Sequence, residues 1–277
     1  MKKTGWTVCI LSLFLLWPGF SWAQVGEQAG EKAGEPTGEQ VGGPVGENYT
    51  IEVEGRMWNV KLDSTVKIVQ SGIGANINLV GDLGFEELKN FFEGRLQVKF
   101  ARKHKFNLEY IPLKWDADKV VTQTIQFNGQ AYTAGTRIQS SLDLKFFKGG
   151  YEYDFLAGGL GFLGGTLDVL VANAAVQLTA PALAIEQKED KTIPVPMIGF
   201  VGRVYPIRWV NLTVKASGLP AGSYGYIFDG EASLNINPIK YLGISGGYRY
   251  FLIDVKYNDN SLYYRLDGPF VGLTLRF

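Results

Sequence analysis

In Val271-Gly272-Leu273-Thr274-Leu275-Arg276-Phe277 every second residue is large and apolar, up to the terminal aromatic. Helical spacing would place Leu273 and Phe277 on one face and Leu275 on the opposite one, so the segment reads as a strand with one apolar side. The same period of two recurs in Leu96/Val98/Phe100 against Arg95/Gln97/Lys99, in Phe106/Leu108/Tyr110 against Asn107/Glu109, and in Leu142/Leu144 against Asp143/Lys145. Val210/Leu212/Val214 alternate with Asn211/Thr213/Lys215, and Ala232/Leu234/Ile236 with Glu231/Ser233/Asn235. A chain patterned this way is confined to sheets.

Turn residues divide these runs into two alternating sets. One set is short: Arg102–Lys105, Ala157–Leu160, Pro206–Trp209 and Asn237–Lys240. The other is mostly longer: Ser71–Phe92, Asn128–Gly135, Thr179–Pro196, Ser217–Ser223 and Asp259–Leu262. Tight turns at one end and long loops at the other describe an all-β fold, a transmembrane antiparallel up-and-down β-barrel. The runs predict about ten strands, at 51–70, 93–101, 105–127, 136–156, 161–178, 197–205, 209–217, 224–237, 241–257 and 264–277. Eight strands follow if one pair is loop. Trp58, Tyr110, Trp115, Tyr205, Trp209, Tyr241 and Tyr250 are expected at the membrane interfaces, as aromatic girdles.

The first 48 residues follow other rules. Residues 1–23 have the parts of a cleaved secretory signal: Lys2 and Lys3, an apolar run from Trp6 to Trp17, and small residues at Ser21 and Ala23. From Val25 the chain repeats in tetrads, VGEQ, AGEK, AGEP, TGEQ, VGGP and VGEN. Glycine at every fourth position undermines a helix, and no apolar set could form a core. Residues 24–48 are therefore expected to be a disordered, flexible Gly/Glu-rich periplasmic tether, either a solvated spacer or a docking segment for a periplasmic partner. The barrel takes residues 49–277.

Composition removes whole classes of function. Lys+Arg and Asp+Glu are 27 each, so no basic excess points to nucleic acid. With one Cys and one His, zinc fingers, iron–sulfur clusters and disulfide scaffolds are excluded.

The terminal pattern Val271, Leu273, Leu275 and Phe277 resembles the end of Gram-negative outer-membrane proteins. The general build is similar to small monomeric barrels of the OmpA, OmpX and OmpW kind. More narrowly, Leu108–Trp115, Phe127–Thr136, Gly150–Phe155 and Asp267–Phe277 resemble an uncharacterised set of small outer-membrane barrels. The resemblance implies a place in the cell outer membrane, among its lipids and lipopolysaccharide. It also implies that the four terminal residues act as the signal read by the barrel-assembly machinery.

No residues stand out as catalytic, cofactor-binding or metal-binding. Gly159-Leu-Gly161-Phe-Leu-Gly164, with Glu186 beyond it, matches a dinucleotide fingerprint in spacing. The following segment is as much strand as helix, so a glycine-rich turn is the expectation. Asn173, Gln177 and Pro181 likewise make the uncharged stretch 169–185 a poor membrane helix. His104 falls in a tight turn beside three cations. Asp116/Asp118 and Glu186/Glu189/Asp190 fall where loops are expected, as solvated acids or as ligands of a divalent cation that bridges lipopolysaccharide phosphates.

If apolar residues face lipid, Arg95, Lys99, Lys145, Arg203, Lys215, Arg249 and Arg276 point inward. So do Glu109, Asp143, Glu152, Asp154, Asp168, Asp229 and Glu231. Balanced charges suit an ion-pair network that plugs a narrow lumen and fixes register. The phase of alternation slips near Pro112, Phe146/Phe147 and Phe251, where bulges are expected. The sequence thus points to a structural or surface-interaction role, with 71–92 and 179–196 as recognition loops. A narrow channel for small or apolar solutes, opened laterally at paired glycines such as Gly149-Gly150 and Gly246-Gly247, is the alternative. An envelope hydrolase using Asp116, Asp118 or His104 is a third reading.

Overall fold

A computed structural model describes residues 44–70, 73–127 and 130–277. The signal segment 1–23 and tether residues 24–43 lie outside the described residues. The elements in chain order are β1 (Ile51–Gln70), β2 (Ile73–Asn78), β3 (Leu88–Ala101), β4 (His104–Val120), β5 (Ile125–Phe127), β6 (Gln130–Tyr132), β7 (Arg137–Gly158) and β8 (Gly161–Ala180). They continue with β9 (Ile185–Ile207), β10 (Val210–Pro220), β11 (Gly225–Ile239), β12 (Leu242–Tyr257) and β13 (Asn260–Arg276). Single 3-10 turns at Pro181–Leu183 and Gly222–Tyr224 join β8 to β9 and β10 to β11.

The ten strands other than β2, β5 and β6 pair antiparallel in succession, and β1 pairs back with β13, closing a ten-stranded barrel; β2 pairs antiparallel on the far half of β1. The register fixes its geometry. Hydrogen-bonded neighbours lead from Ile51 through Val98, Phe106, Tyr151, Leu167, Ile198, Gly218, Phe228, Leu252 and Arg265 back to β1 at Asp63. That stagger tilts the strands by about 40° and gives each residue about 2.5 Å of rise along the barrel axis.

The two ends differ. The end carrying Ile51 and Phe277, here the terminal end, has the tight turns. At the far end the wall is uneven: β8 and β9 rise roughly 45 Å from the terminal end, β10 and β11 only roughly 25 Å. Because β10 pairs with β9 only from Ile198 onward, β9 from Ile185 to Met197 has a strand ladder on one side alone among the described residues. Pro194 and Pro196 lie in that stretch. A regular ladder tolerates proline only where its nitrogen faces away from the partner strand, so both face the open side.

The expected strands are present, with different limits in places. The predicted strand 105–127 ends at Val120, and β5 and β6 form a separate small hairpin. The expected loop 71–92 contains β2 and the start of β3. The expected loop 179–196 is mostly strand, so Glu186, Glu189 and Asp190 stand on β9. The predicted bulges at Phe146/Phe147 and Phe251 are absent, since pairing is continuous through both; at Pro112 the β4–β7 ladder is unbroken, but the β3–β4 ladder stops at Gly94/Tyr110, just before the proline. The irregularities lie instead at the tight turns, at Lys99/Ala101, Asp154/Leu156, Val210/Leu212 and Ile236/Ile239.

What changes along the strands is polarity, not phase. On β1 the inward residues run Glu54, Arg56, Trp58, Val60, Leu62, and all are buried. The outward residues run Val53, Met57, then Asn59, Lys61, Asp63. On β4 the inward series passes from Glu109 to Ile111, Leu113 and Trp115, while the outward series passes from Leu108 and Tyr110 to Lys114, Asp116 and Asp118. Nearest the terminal end, the wall is apolar outside and charged inside, as a membrane requires. Farther up, both faces reverse and the wall is built like a soluble barrel. The inner crossover falls at nearly one height on every strand, roughly 15–20 Å from the terminal end.

Candidate functional site

The lower lumen is filled by a lattice of ion pairs. Arg56 reaches Glu54 at 2.9 Å and Glu231 at 2.8 Å. Arg95 reaches Glu109 at 3.2 Å and Glu231 at 2.6 Å, and also pairs with Glu93. Arg249 reaches Glu93 at 3.0 Å, Glu109 at 2.6 Å and Asp229 at 2.8 Å, and Lys148 adds a second cation at Asp229, at 2.6 Å. Glu93, Glu109, Asp229 and Glu231 are each shared by cations from different strands. Nearer the terminal end, Lys105 pairs with Glu152 at 2.6 Å and Asp154 at 2.8 Å while its ammonium lies over the Phe162 ring, and Arg276 pairs with Glu52 at 2.5 Å. A cavity of about 70 Å³ remains, bordered by Lys215, Asp168, Glu152 and Ser217.

The upper lumen is an apolar core. Phe91 and Trp115 meet edge to face at 4.7 Å, and Phe146 lies 5.2 Å from Phe251. Leu62, Leu113, Leu266 and Phe270 complete the packing. Leu83 and Phe85 from the connection after β2, and Val121, Ile125 and Tyr132 from the β4–β7 connection, join the same core as a lid. The Tyr132 hydroxyl donates to the Leu178 carbonyl at 3.3 Å, which fastens that lid to β8. Within this compartment the Trp115 Nε1, Ser140 Oγ and Tyr264 hydroxyl are buried with no hydrogen-bond partner among the described residues.

The terminal mouth is crossed by residues 45–49. The Val45 N–H donates to the Arg208 carbonyl at 2.6 Å, and the Thr50 N–H to the Phe277 carbonyl at 2.7 Å. Arg208 sits in the β9–β10 turn and Phe277 beside β1, on opposite sides of the ring. Between them the Glu47 carboxylate takes a hydrogen bond from Arg203 at 2.5 Å and another from the Tyr205 hydroxyl, and lies 3.7 Å from Lys99. Burial pushes the Glu47 carboxyl up, but Arg203, Lys99 and the Tyr205 hydroxyl outweigh it and hold it at about 2. The last residues of the expected tether are thus a strap docked on the barrel.

Of the charges expected inside, Arg95, Lys99, Arg203, Lys215, Arg249, Arg276, Glu109, Glu152, Asp154, Asp168, Asp229 and Glu231 face the lumen. Asp143 and Lys145 do not. They face outward and pair with each other at 3.5 Å, because at their height Leu142, Leu144 and Phe146 point inward. The rule that apolar residues face lipid fails above the membrane. The same reversal moves Trp58 and Trp115 from an expected girdle into the core, and Tyr205 also faces inward; Tyr110, Trp209 and Tyr241 stay on the outside. Sequence reasoning missed Glu47, Glu54, Arg56, Glu93, Lys105 and Lys148. The alternation Glu52, Glu54, Arg56 on β1 was the available signal.

The remaining candidates have ordinary surroundings. His104 lies at the terminal end, with Nδ1 2.6 Å from the Tyr151 hydroxyl. Asp118 accepts two bonds from Arg137, each 2.8 Å, and Asp116 lies 3.7 Å from Lys114, all on the outer face. The motif from Gly159 to Gly164 forms the β7–β8 turn and the start of β8, with no helix after it. Val271, Leu273, Leu275 and Phe277 all point outward and are exposed.

No family model matches the chain, and no curated protein matches it in sequence. Among solved structures it is similar to the outer membrane protease OmpT from Escherichia coli, with a TM-score of 0.54 at 7% identity, over 82% of this chain and 97% of that one. The translocator domain of the autotransporter NalP from Neisseria meningitidis matches with a TM-score of 0.45 at 9% identity, over 82% and 89% of the two chains. Ail, the attachment invasion locus protein of Yersinia pestis, matches with a TM-score of 0.36 at 10% identity, over 82% and 99%. At such identities the likeness to OmpT shows the fold of an outer-membrane barrel.

Proposed function

We propose that this chain is an integral outer-membrane barrel with a plugged lumen, and that it works structurally or through the surface it raises outside the membrane. The terminal end would then face the periplasm, as the exported N-terminus and the outer-membrane fold suggest. The observation that carries the reading is the stacking of two fillings in one lumen, an ion-pair lattice below and an aromatic core with its lid above. Water-filled passage needs a polar path from end to end, and the apolar storey interrupts one. The raised wall of β7, β8 and β9 and the lid residues 79–87, 121–127 and 130–136 take over the recognition role expected of the loops. Their surroundings would be lipopolysaccharide and outer-leaflet lipid. Val271, Leu273, Leu275 and Phe277, exposed on the last strand, suit the signal for barrel assembly. No catalytic role is assigned to the acids of the outer face, where Asp116 and Asp118 pair with Lys114 and Arg137 and Glu186 takes a bond from Gln177.

Single-channel recording on the refolded chain from Gln24 onward tests the reading, with folding checked by heat-shifted gel mobility. Silence of the folded protein is the expected result. Reproducible conductance steps would sink the plug.

A second reading has its own observation. At the low rim of β10 and β11, Leu219, Ile227 and Ile193 are only half-buried where they face the core. Lipid-facing and core-facing apolar surfaces nearly meet there, so a small apolar molecule could enter sideways. Uptake of apolar solutes that is unchanged in a deletion strain would dispose of it.

A further inference from the structure

The regularity of the N-terminal repeat has a physical explanation in the strap, one that goes beyond the plugged-barrel reading. We propose that the polar ring at the terminal mouth is a binding site for an extended Gly-Glu peptide. Gly46-Glu47 occupies it, and the earlier Gly-Glu copies of the repeat are alternative occupants.

The site constrains two successive residues. Gly46 has φ +86°, a conformation that side-chain-bearing residues rarely adopt, and a Cβ there would lie 2.7 Å from Arg276 Nη1 and 3.2 Å from Asn237 Cγ. Glycine is therefore required twice over, by backbone and by space. The next residue must bring a carboxylate to Arg203, Tyr205 and Lys99, and its carbonyl accepts a bond from Lys99 Nζ at 3.0 Å. On the near side the site grips only backbone, through the Val45 N–H on the Arg208 carbonyl.

The repeat varies where the site is indifferent. Aligned on Val45-Gly46-Glu47-Asn48, the first position is Val, Ala or Thr and the last is Gln, Lys, Pro or Asn. Gly26-Glu27, Gly30-Glu31, Gly34-Glu35 and Gly38-Glu39 keep the pair; only the tetrad at Val41 replaces the acid, with Gly43. A mere solvated spacer needs glycine and charge but not in fixed order. The last copy has the advantage because it closes the shortest loop to Ile51. Seating Gly38-Glu39 instead lengthens that loop from three residues to eleven, a handicap of roughly 5–10-fold. The strap is thus a ratchet, and its free length would change in steps of the repeat.

The test uses the chain from Gln24 onward, which contains no cysteine, with spin labels at Thr37→Cys and Ile207→Cys beside the mouth. With Glu47 in place, separations between the labels should be long and broad. Glu47→Gln should create a short-separation population as Gly38-Glu39 and the copies before it take the site, and adding Glu27→Gln, Glu31→Gln, Glu35→Gln and Glu39→Gln should abolish it. Gly46→Ala, which blocks the last copy by shape alone, should produce the same takeover, and adding Gly26→Ala, Gly30→Ala, Gly34→Ala and Gly38→Ala should reverse it. Both changes lie in the strap, and heat-shifted mobility confirms an intact barrel. No short population in either single variant, or one that persists when all the earlier copies are changed as well, overturns the proposal.

Discussion

Arg95 on β3 and Glu231 on β11 share no ladder, yet their side chains meet across the lumen at 2.6 Å. Three strands, β12, β13 and β1, separate them along the wall. Glu231 also takes Arg56, so one carboxylate ties three walls together.

Replacing Glu231 with Gln should therefore cost about 3–5 kcal/mol, because it takes away the anion that two buried guanidinium groups share. The midpoint of unfolding in detergent, read by loss of heat-shifted mobility, checks this. Combining Glu231→Gln with Arg95→Met should recover part of the loss, since Arg56 keeps Glu54 and both Glu93 and Glu109 keep Arg249.

Above the crossover the inside is what stabilises the wall. Trp115→Ala should cost about 3–5 kcal/mol, because the side chain is 0% exposed and packed on Phe91. Leu273→Ala on the lipid face, 50% exposed in the protein alone, should cost much less in the same unfolding measurement. Equal losses would contradict the two-storey reading.

Asp143 and Lys145 give a prediction of side rather than of energy. Asp143→Cys should react with a membrane-impermeant thiol reagent on whole cells, whereas Leu144→Cys should not. Asp143→Asn should shift stability by no more than about 1 kcal/mol, as an exposed pair allows.

The strap should be insensitive to mild acid. The Glu47 carboxyl has its folded value depressed, so its contribution is present above the ordinary carboxylate range and is lost only as pH falls toward about 2. Labels at Val45→Cys and Ile207→Cys should stay close from pH 7 to pH 4 and separate near pH 2. With Glu47→Gln that acid transition should vanish.

The closed barrel and its ten strands were legible because alternation runs unbroken through β3, β4, β10, β11 and β13. Polarity was harder. Leu142 and Leu144 alternate with Asp143 and Lys145 in the same way as Leu273 and Leu275 alternate with Thr274 and Arg276, yet the two sets face opposite directions. Period two reports that a strand has two faces; it does not say which faces the axis. The clue lay in continuity: Lys148, Glu152 and Asp154 are in phase with Leu142 and Leu144 along β7. The lattice partners Arg56 and Glu93 were missed for a related reason. Each stands beside a large aromatic, Trp58 or Phe91, that belongs to the core above.

The unpartnered side of β9 bears on life in a crowded membrane. Any strand with a bare edge is a template on which a neighbouring molecule could add its own, and sheets joined this way grow without limit. Along this edge the two ring nitrogens of Pro194 and Pro196 offer no hydrogen, and Glu186, Lys188, Glu189, Asp190 and Lys191 set charge against any approaching copy. A copy pressed against this edge by lateral diffusion would meet proline and charge where a ladder would have to form.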